Sequence, residues 1–177
     1  MVPGMMHLVF VRSQVAHARI KRIDTSKAKA MPGVVAVITG DDIKDRIAPL
    51  PQPVVVPNMP AKYPTHWPLA VGKVRFHGDA LAAVVARDKY VAEDAAEAIE
   101  VDYQELPYVG DPEAALQAGS PIVHEGWDNN LIFEMTFTGG ATPADQAKND
   151  AKVQKAFDAA AVVVRERFRC HRCGVTP

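Results

Sequence analysis

Cysteine is scarce in this chain: its 177 residues include two cysteines, Cys170 and Cys173, both near the end of the sequence. Two thiols cannot build a disulfide framework, and the sequence contains no Asn-x-Ser/Thr glycosylation signal. These absences argue against a disulfide-stapled secreted domain. They predict a reducing compartment, so the expected location is the cytoplasm.

Long hydrophobic runs are also missing. The longest uninterrupted apolar stretches have about seven residues, as from Ala80 to Ala86, whereas a membrane-spanning helix needs about 20. The apolar run from Leu8 to Val11 lacks a basic segment before it and ends at Arg12, so it predicts a strand rather than a signal peptide. The formal net charge of −1 supplies no field that would attract nucleic acid or an anionic membrane. We therefore expect neither of these as a partner.

Common catalytic and metal-binding motifs are absent from the sequence. It has no P-loop, no G-x-S-x-G and no G-x-G-x-x-G motif. No histidine pair at i, i+4 has a third ligand nearby. The scattered histidines are His7, His17, His66, His77, His124 and His171. The residues alone therefore identify no catalytic residue and no metal ligand, and they leave any cofactor-binding residues unknown.

The segment Cys170-His171-Arg172-Cys173 is the one cluster with the spacing of a metal site. Two thiolates separated by two residues bind one ion, but structural zinc takes four ligands and no second cysteine pair exists. A redox dithiol normally opens a helix, whereas this motif follows a predicted strand. A structural role is favoured, and a metal or redox role stays open as the alternative.

Arginines stand at alternate positions near the end of the chain, at Arg165, Arg167 and Arg169. On a strand they share one face. That face would suit a phosphate-bearing ligand or an acidic partner surface. The simpler interpretation is a solvated charged face, because charge runs usually lie in solvent.

Hydrophobic residues make up 48% and charged residues 23% of the chain, as in an ordinary soluble globular protein. Apolar runs and alternation predict strands at Leu8–Arg12, Ala16–Asp24, Val34–Ile38, Val74–Phe76, Ala80–Ala86, Ile99–Gln104, Leu131–Phe137 and Val162–Phe168. Capping residues predict a helix at Lys27–Ala30, a helical turn at Thr39–Asp42, and helices that begin after Asp88, Asp111 and Thr142. The fold class is therefore α+β.

Seven of the 14 prolines fall between residues 49 and 68. Proline removes a backbone donor and disfavours helix in the residue before it, so this stretch is expected to hold neither a helix nor a central strand. An ordered surface loop is favoured, with a recognition segment for a partner chain as the alternative.

A long series of segments resembles, in register, the N-terminal part of one family of large subunits. The matching segments are Pro3–His7, Val11–Ser13, Ala16–Ile20, Ile23–Ala28, Pro32–Ile43, Val74–Phe76, Ala82–Ala86, Ala92–Glu97, Val101–Tyr103 and Val123–Glu125. They resemble the molybdenum-binding subunit of the xanthine dehydrogenase, aldehyde oxidase and aerobic carbon monoxide dehydrogenase family. A match of this length and order is more specific than any short motif.

The resemblance implies an α/β-hammerhead domain over residues 1–110, a linker over 111–130 and, over 131–177, a strand–helix–strand piece of the molybdopterin-binding domain. In the family, a molybdopterin, in bacteria usually its cytosine dinucleotide, holds the molybdenum. A metal-bound oxygen attacks the substrate carbon with the help of a glutamate base. Electrons then pass to [2Fe–2S] clusters and FAD, commonly on separate subunits.

The family's glycine-rich cofactor loops and glutamate base lie downstream of the matching region. The resemblance therefore carries no catalytic or cofactor-binding residue onto this chain, and it gives Cys170 and Cys173 no function. It implies an N-terminal portion or split subunit of a molybdenum hydroxylase, active only as part of an oligomeric complex. Its partners would be the remaining molybdenum-cofactor domain chain, an iron–sulfur subunit and an FAD subunit. The alternative is a stand-alone, non-catalytic hammerhead interaction module without a cofactor.

Overall fold

The computed structural model describes residues 2–51, 61–134 and 142–168. The chain divides into two compact units, Met1–Glu134 and Met135–Pro177. Strands in the described part of the chain are β1 (His7–Arg12), β2 (Ala18–Asp24), β3 (Val34–Thr39), β4 (Lys73–Val74), β5 (Ala80–Ala86) and β6 (Glu100–Glu105). Helices there are α1 (Ser26–Ala30), α2 (Gly40–Ile43), α3 (Lys89–Glu97), α4 (Pro112–Ala115) and, in the second unit, α5 (Pro143–Asp158).

The first sheet has the antiparallel order β1-β5-β3. Its central strand β5 is the apolar run Ala80–Ala86, and most of its residues are buried. A strand with a neighbour on each edge and side chains packed on both faces needs apolar residues at every position. Register shifts near Val11 and near Val34 mark irregularities at the two outer strands.

Helix α3 packs on one face of this sheet. Asp88 caps it, accepting hydrogen bonds from the backbone N–H groups of Tyr90 at 2.8 Å and Val91 at 3.3 Å. Ala92 and Ala95 are fully buried in a cluster with Val84 of β5. Alanines on this helical face leave room for the sheet, so the helix packs close to it.

A second sheet has the order β4-β2-β6 and is also antiparallel. Exposed charges on β6 pair with its neighbours: Arg22 Nε of β2 lies 2.9 Å from Asp102 Oδ2, and Lys27 of α1 contacts Glu100. A small buried cluster of Ala18, Ala70, Val74 and Leu81 includes residues of β2, β4 and β5.

Gly40 stands where β3 passes into α2, and no other residue fits there without a shift. A Cβ at Gly40 would lie 2.2 Å from the carbonyl oxygen of Ala70. The loop that carries Ala70 thus packs directly on the backbone of Gly40. This approach holds the loop after the proline-rich stretch against the first sheet.

Two predicted strands are wrong within the described residues. Residues 131–134 of the predicted strand Leu131–Phe137 form no strand, and residues 135–137 lie outside the described part. Val162–Phe168 is also not a strand. Both segments have a strand-like composition, but neither joins a sheet in the described part of the chain. A strand needs a ladder of hydrogen bonds, and residues 131–134 make an isolated one, from Lys62 N to the carbonyl oxygen of Ile132 at 2.9 Å.

Other boundaries differ by a few residues. The second strand begins at Ala18 rather than Ala16, and the predicted strand Val74–Phe76 is the two-residue β4. The predicted helices after Asp88, Asp111 and Thr142 are confirmed. Residues 49–51 and 61–68 hold no helix or strand, as the prolines predict, and 52–60 lie outside the described residues.

Candidate functional site

The face of the first sheet opposite α3 exposes apolar side chains on β1. Val9 and Val11 pack against the α3 core, so the alternate residues of β1 face the other way. Leu8 is 51% exposed and Phe10 is 43% exposed. Leu8 pairs with Val85 of β5, and Phe10 pairs with Ala83. Directly paired residues share a face.

The third strand extends this surface. Ile38 of β3 pairs with Ala83, and Ala36 pairs with Val85. We call the set Leu8, Phe10, Ala36, Ile38, Ala83 and Val85 the outer sheet face. At its edge the Arg12 guanidinium lies 5.5 Å from the centre of the Phe10 ring. Leu8 and Phe10 are the exposed residues of this face, whereas Ala83 is buried. Exposed apolar side chains that cluster on one face are a common feature of interaction sites.

The described part of the second unit also exposes apolar residues. Thr142 caps α5, with Asp145 N donating to Thr142 Oγ1 at 3.2 Å. Val153, Ala156 and Phe157 of α5 are exposed, as is Ala160 just after it. Val153 and Phe157 line an open groove together with Val163, Val164 and Arg165.

The predicted arginine face is only partly described. Arg165 lies beside the groove on α5, Arg167 has an interaction partner, and Arg169 lies outside the described residues. Because Val162–Phe168 is not a strand, alternate residues there do not share a sheet face. The strand geometry that favoured binding of a phosphate-bearing ligand or an acidic partner surface is therefore not present here.

A cavity of about 180 Å³ lies within the first unit, beside the turn that joins β4 to β5. Asp79 in this turn is 6% exposed, and its Oδ2 accepts a hydrogen bond from Arg75 N at 3.2 Å. Burial raises the pKa of the Asp79 carboxyl, opposed by the Arg75 backbone hydrogen bond and by the charges of His66 and Arg75.

His124 reaches the same cavity from a distant loop, and its ring lies 4.5 Å from that of Trp127. Burial lowers the pKa of His124, and the positive charges of Arg75, Lys73 and His17 lower it further. Lys73 itself donates to the carbonyl oxygen of Val123 at 3.1 Å, which fixes the loop in place. The pKa of Lys73 is also lowered by burial, against the pull of Glu125.

The sequence did not identify this cavity. Arg75 and Asp79 lie four residues apart in one turn, but no local signal connects them with His66 or His124. Of the scattered histidines, His66 and His124 are brought to one cavity, while His171 and the cysteines at 170 and 173 lie outside the described residues. Across residues 2–51, 61–134 and 142–168, no group of three or more His, Cys, Asp or Glu is placed to hold a metal.

The cavity beside Asp79 does not fit a molybdopterin. A drug-sized ligand needs a pocket of about 300 to 1,000 Å³, and the cavity beside Asp79 is smaller, at about 180 Å³. The groove on α5 is larger but open, and its lining carries Asp150 and Asp158 together with Arg165. No helix in the described part of the chain is long and apolar enough to cross a membrane.

Comparison with known proteins gives a consistent assignment. The family model described as "Aldehyde oxidase and xanthine dehydrogenase, a/b hammerhead domain" matches residues 1–107. The carbon monoxide dehydrogenase large chain of Afipia carboxidovorans is 40% identical over 99% of this chain and 21% of its own length. The xanthine dehydrogenase molybdenum-binding subunit of Escherichia coli O157:H7 is 32% identical over 98% of this chain and 22% of its own length.

Solved structures agree with this. The aldehyde oxidoreductase of Desulfovibrio gigas superposes with a TM-score of 0.67 at 34% identity, covering 92% of this chain and 16% of that chain. The Cu,Mo-CO dehydrogenase gives a TM-score of 0.60 at 43% identity over 80% of this chain and 16% of that one. The chain spans about a fifth of the length of these curated relatives. It belongs to the aldehyde oxidase and xanthine dehydrogenase family, and residues 1–107 match that family's α/β-hammerhead domain.

Proposed function

We propose that this chain is the N-terminal portion or a split subunit of a molybdenum hydroxylase large subunit. In this role it contributes scaffold and subunit packing to an oxidoreductase. The outer sheet face carries the proposal, because Leu8 and Phe10 are about half exposed on a sheet whose other face packs against α3. An apolar sheet face of this kind is stabilised when another domain covers it.

The domain division belongs to the same proposal. Residues 1–110 would form the hammerhead, 111–130 a linker, and 131–177 the N-terminal fragment of the molybdenum-cofactor domain. The match of the family model to residues 1–107 supports the first of these limits. The contact-based division after Glu134 lies a few residues beyond the proposed linker.

The cofactors would be carried by the rest of the complex. Molybdopterin, in its cytosine dinucleotide form, would supply the redox-active molybdenum on the remaining molybdenum-cofactor domain chain. An iron–sulfur subunit with [2Fe–2S] clusters and an FAD subunit would take up the electrons in a cytoplasmic oligomer. The contribution of this chain would be to pack against its neighbours and to position them.

The first test is the native mass of the protein purified from its own source, with molybdenum and iron counted on the same sample. The proposal expects a large assembly that contains both metals. A metal-free monomer of 19.2 kDa contradicts it and supports the stand-alone hammerhead module.

A second test targets the outer sheet face directly. Phe10→Asp places a charge on this face, and we expect loss of co-purification with the chain that carries the remaining molybdenum-cofactor domain. Tyr90→Asp is the matched control, because Tyr90 is 73% exposed on α3, away from the outer sheet face. Equal co-purification of Phe10→Asp and wild type contradicts a packing role for this face, provided that circular dichroism shows both chains folded.

A further inference from the structure

The loop of residues 121–130 is closed on itself and lies against the rest of the first unit. Asn130 links its two ends, because its Nδ2 donates to the carbonyl oxygen of Pro121 at 2.9 Å and its Oδ1 accepts from Val123 N at 3.1 Å. A compact loop whose ends lie close together keeps its internal contacts when its contacts with the rest of the protein break. We call residues 121–130 the docked loop.

Side-chain cations hold the docked loop in place. The pairs are Lys73 with the carbonyl oxygen of Val123 at 3.1 Å, Arg19 with Glu125 at 3.2 Å, and Lys62 with Asn129 at 2.9 Å. The pair of Arg19 and Glu125 is exposed, and exposed ion pairs contribute little to stability. Lys73 differs, because only 8% of its side chain is exposed. The contacts around Lys73 therefore matter most for docking.

His124 lies next to this buried contact, one residue after Val123. Its ring is half-buried and lies 4.5 Å from the ring of Trp127, and it forms part of the wall of the cavity beside Asp79. Titratable and charged groups surround it from each neighbouring segment of the first unit. They are His17, His66, Lys73, Arg75, Asp79 and Glu125.

The surroundings of the His124 ring oppose its protonation. Burial lowers the pKa of His124 below its ordinary value of 6.5, and the positive charges of Arg75, Lys73 and His17 lower it further. When the loop leaves the surface, the ring enters water and these charges are no longer close to it, so its pKa returns towards 6.5. A proton therefore binds the released loop more tightly than the docked loop, and proton binding favours release.

The nearby carboxylates do not reverse this balance. Glu125 is exposed and already pairs with Arg19 at 3.2 Å and with Lys73 at 3.6 Å. Asp79 in the cavity wall already accepts a hydrogen bond from Arg75 N at 3.2 Å. Each carboxylate is engaged with groups other than the imidazole, whose pKa stays lowered.

We propose that the docked loop acts as a pH-sensitive strap, which is released from β4 when mild acid protonates His124. The new positive charge repels Arg75 and Lys73, the hydrogen bond from Lys73 to Val123 breaks, and the cavity opens on the side of His124. At neutral pH the uncharged ring keeps the loop docked. The inference is independent of the proposed scaffold role, because all these groups lie in the first unit and none belongs to the outer sheet face.

Trp127 reports on the release, because it belongs to the docked loop and packs on His124. The chain has two tryptophans, so Trp67→Phe leaves Trp127 as the single fluorescent indole. Acrylamide quenching measures its exposure between about pH 8 and pH 5, while circular dichroism shows that the chain stays folded. We expect the exposure to rise below pH 6.5. The ratio of released to docked loop should grow by at most about tenfold per pH unit for one proton.

Proton NMR of the unsubstituted chain gives an independent readout. The ring resonances of His124, assigned through their backbone neighbours, should titrate below pH 6.5. This measurement changes nothing in the cavity wall, so it holds even if Trp67→Phe fails to fold.

Histidine variants in the Trp67→Phe chain then assign the transition to one ring. His124→Gln keeps a polar side chain that takes up no proton, and we expect the rise in Trp127 exposure to disappear. His77→Gln is the matched control, because His77 is exposed and does not line the cavity. His66→Gln removes a second histidine of the cavity wall, and the transition should remain.

Several outcomes would overturn the proposal. One is constant exposure of Trp127 across this pH range in a folded chain. Another is a His124 pKa at or above 6.5, because the Trp127 ring or Asp79 would then stabilise the charged imidazole. A transition that persists in His124→Gln assigns the release to a different group, and loss of circular dichroism in the same step means that the whole unit unfolds. Loss of the transition in folded His124→Gln, with His77→Gln and His66→Gln unchanged, supports the proposal.

Discussion

Helices α3 and α5 show what a helix gains from its neighbours. Helix α3 has nine residues and buries Ala92 and Ala95 completely. Helix α5 has 16 residues and buries none of them. Both begin with a side-chain cap, Asp88 in one and Thr142 in the other. Local signals therefore start a helix in either unit, but only a facing sheet turns its apolar stripe into a core.

The largest difference between the two helices should come from a buried charge. Ala95→Asp puts an unpaired carboxylate into the α3 core, and we expect the free energy of unfolding of the first unit to fall by about 3 to 5 kcal/mol. Ala156→Asp makes the same change on exposed α5 and should stay within about 0.5 kcal/mol. Urea denaturation followed by circular dichroism measures both. Similar losses in the two variants would mean that α5 is also packed in the protein.

A backbone contact gives the next largest effect. Gly40→Ala places a Cβ 2.2 Å from the Ala70 carbonyl oxygen, and we expect a loss of about 2 kcal/mol or more because backbone has to move. Gly110 has an open environment, and a Cβ added there would meet nothing within 4 Å. Gly110→Ala should therefore leave the urea midpoint nearly unchanged. Equal midpoints for the two variants would contradict the close approach of the loop at Ala70.

The caps test whether packing replaces local signals. Asp88→Ala and Thr142→Ala each remove a side-chain acceptor worth about 1 kcal/mol to a helix. In α3 the packed alanines should hold the helix. Loss of the Asp88 cap should therefore lower the free energy of unfolding and leave the helical content normal. In α5 no burial compensates, and the far-ultraviolet signal at 222 nm should weaken. The contrary result, an unchanged signal in Thr142→Ala, would show that α5 is held by contacts beyond its cap.

The strands show how much of the secondary structure the apolar sequence pattern predicts. The apolar runs at β1, β3 and β5 predict those strands to within about a residue, because residues buried in a sheet must be apolar wherever the sheet forms. Residues 131–134 and 162–168 have a similar composition, and the structure describes them without a strand. The sequence shows that a segment is able to pair, but whether a partner edge is present depends on the rest of the fold.

The cavity beside Asp79 is a second feature that local sequence patterns could not predict. Asp79 and Arg75 share a turn, whereas His124 joins them from a distant loop, in which the carbonyl oxygen of Val123 accepts a hydrogen bond from Lys73 of β4. Contacts between residues some 50 positions apart leave no periodic signature in one sequence. The family resemblance, in contrast, came from many short matches in register, and the family model confirmed it.

The smallest expected effect on stability comes from two aspartates of the first unit. Burial raises the pKa of Asp79, whereas hydrogen bonds from Thr39 N and Thr39 Oγ1 lower the pKa of Asp42. An aspartate whose pKa is lowered in the folded state stabilises the protein at pH values above its unfolded pKa, near 3.8. This stabilisation is lost as the pH falls through the folded-state pKa. A raised pKa has the opposite sign, so ionised Asp79 costs stability at neutral pH and the cost disappears as the carboxyl is protonated.

Substitution by asparagine separates these two signs. Asp42→Asn should lower the stability at pH 7 by less than about 1 kcal/mol, because solvent screens an exposed carboxyl, and the difference from wild type should close towards pH 3. Asp79→Asn should raise the stability at pH 7, because it removes an ionised group from a buried site, and this gain should also close in acid. Urea midpoints from pH 3 to 7 measure both variants. A loss of stability in Asp79→Asn at pH 7 would show that the hydrogen bond to Arg75 N outweighs the cost of burying the charge.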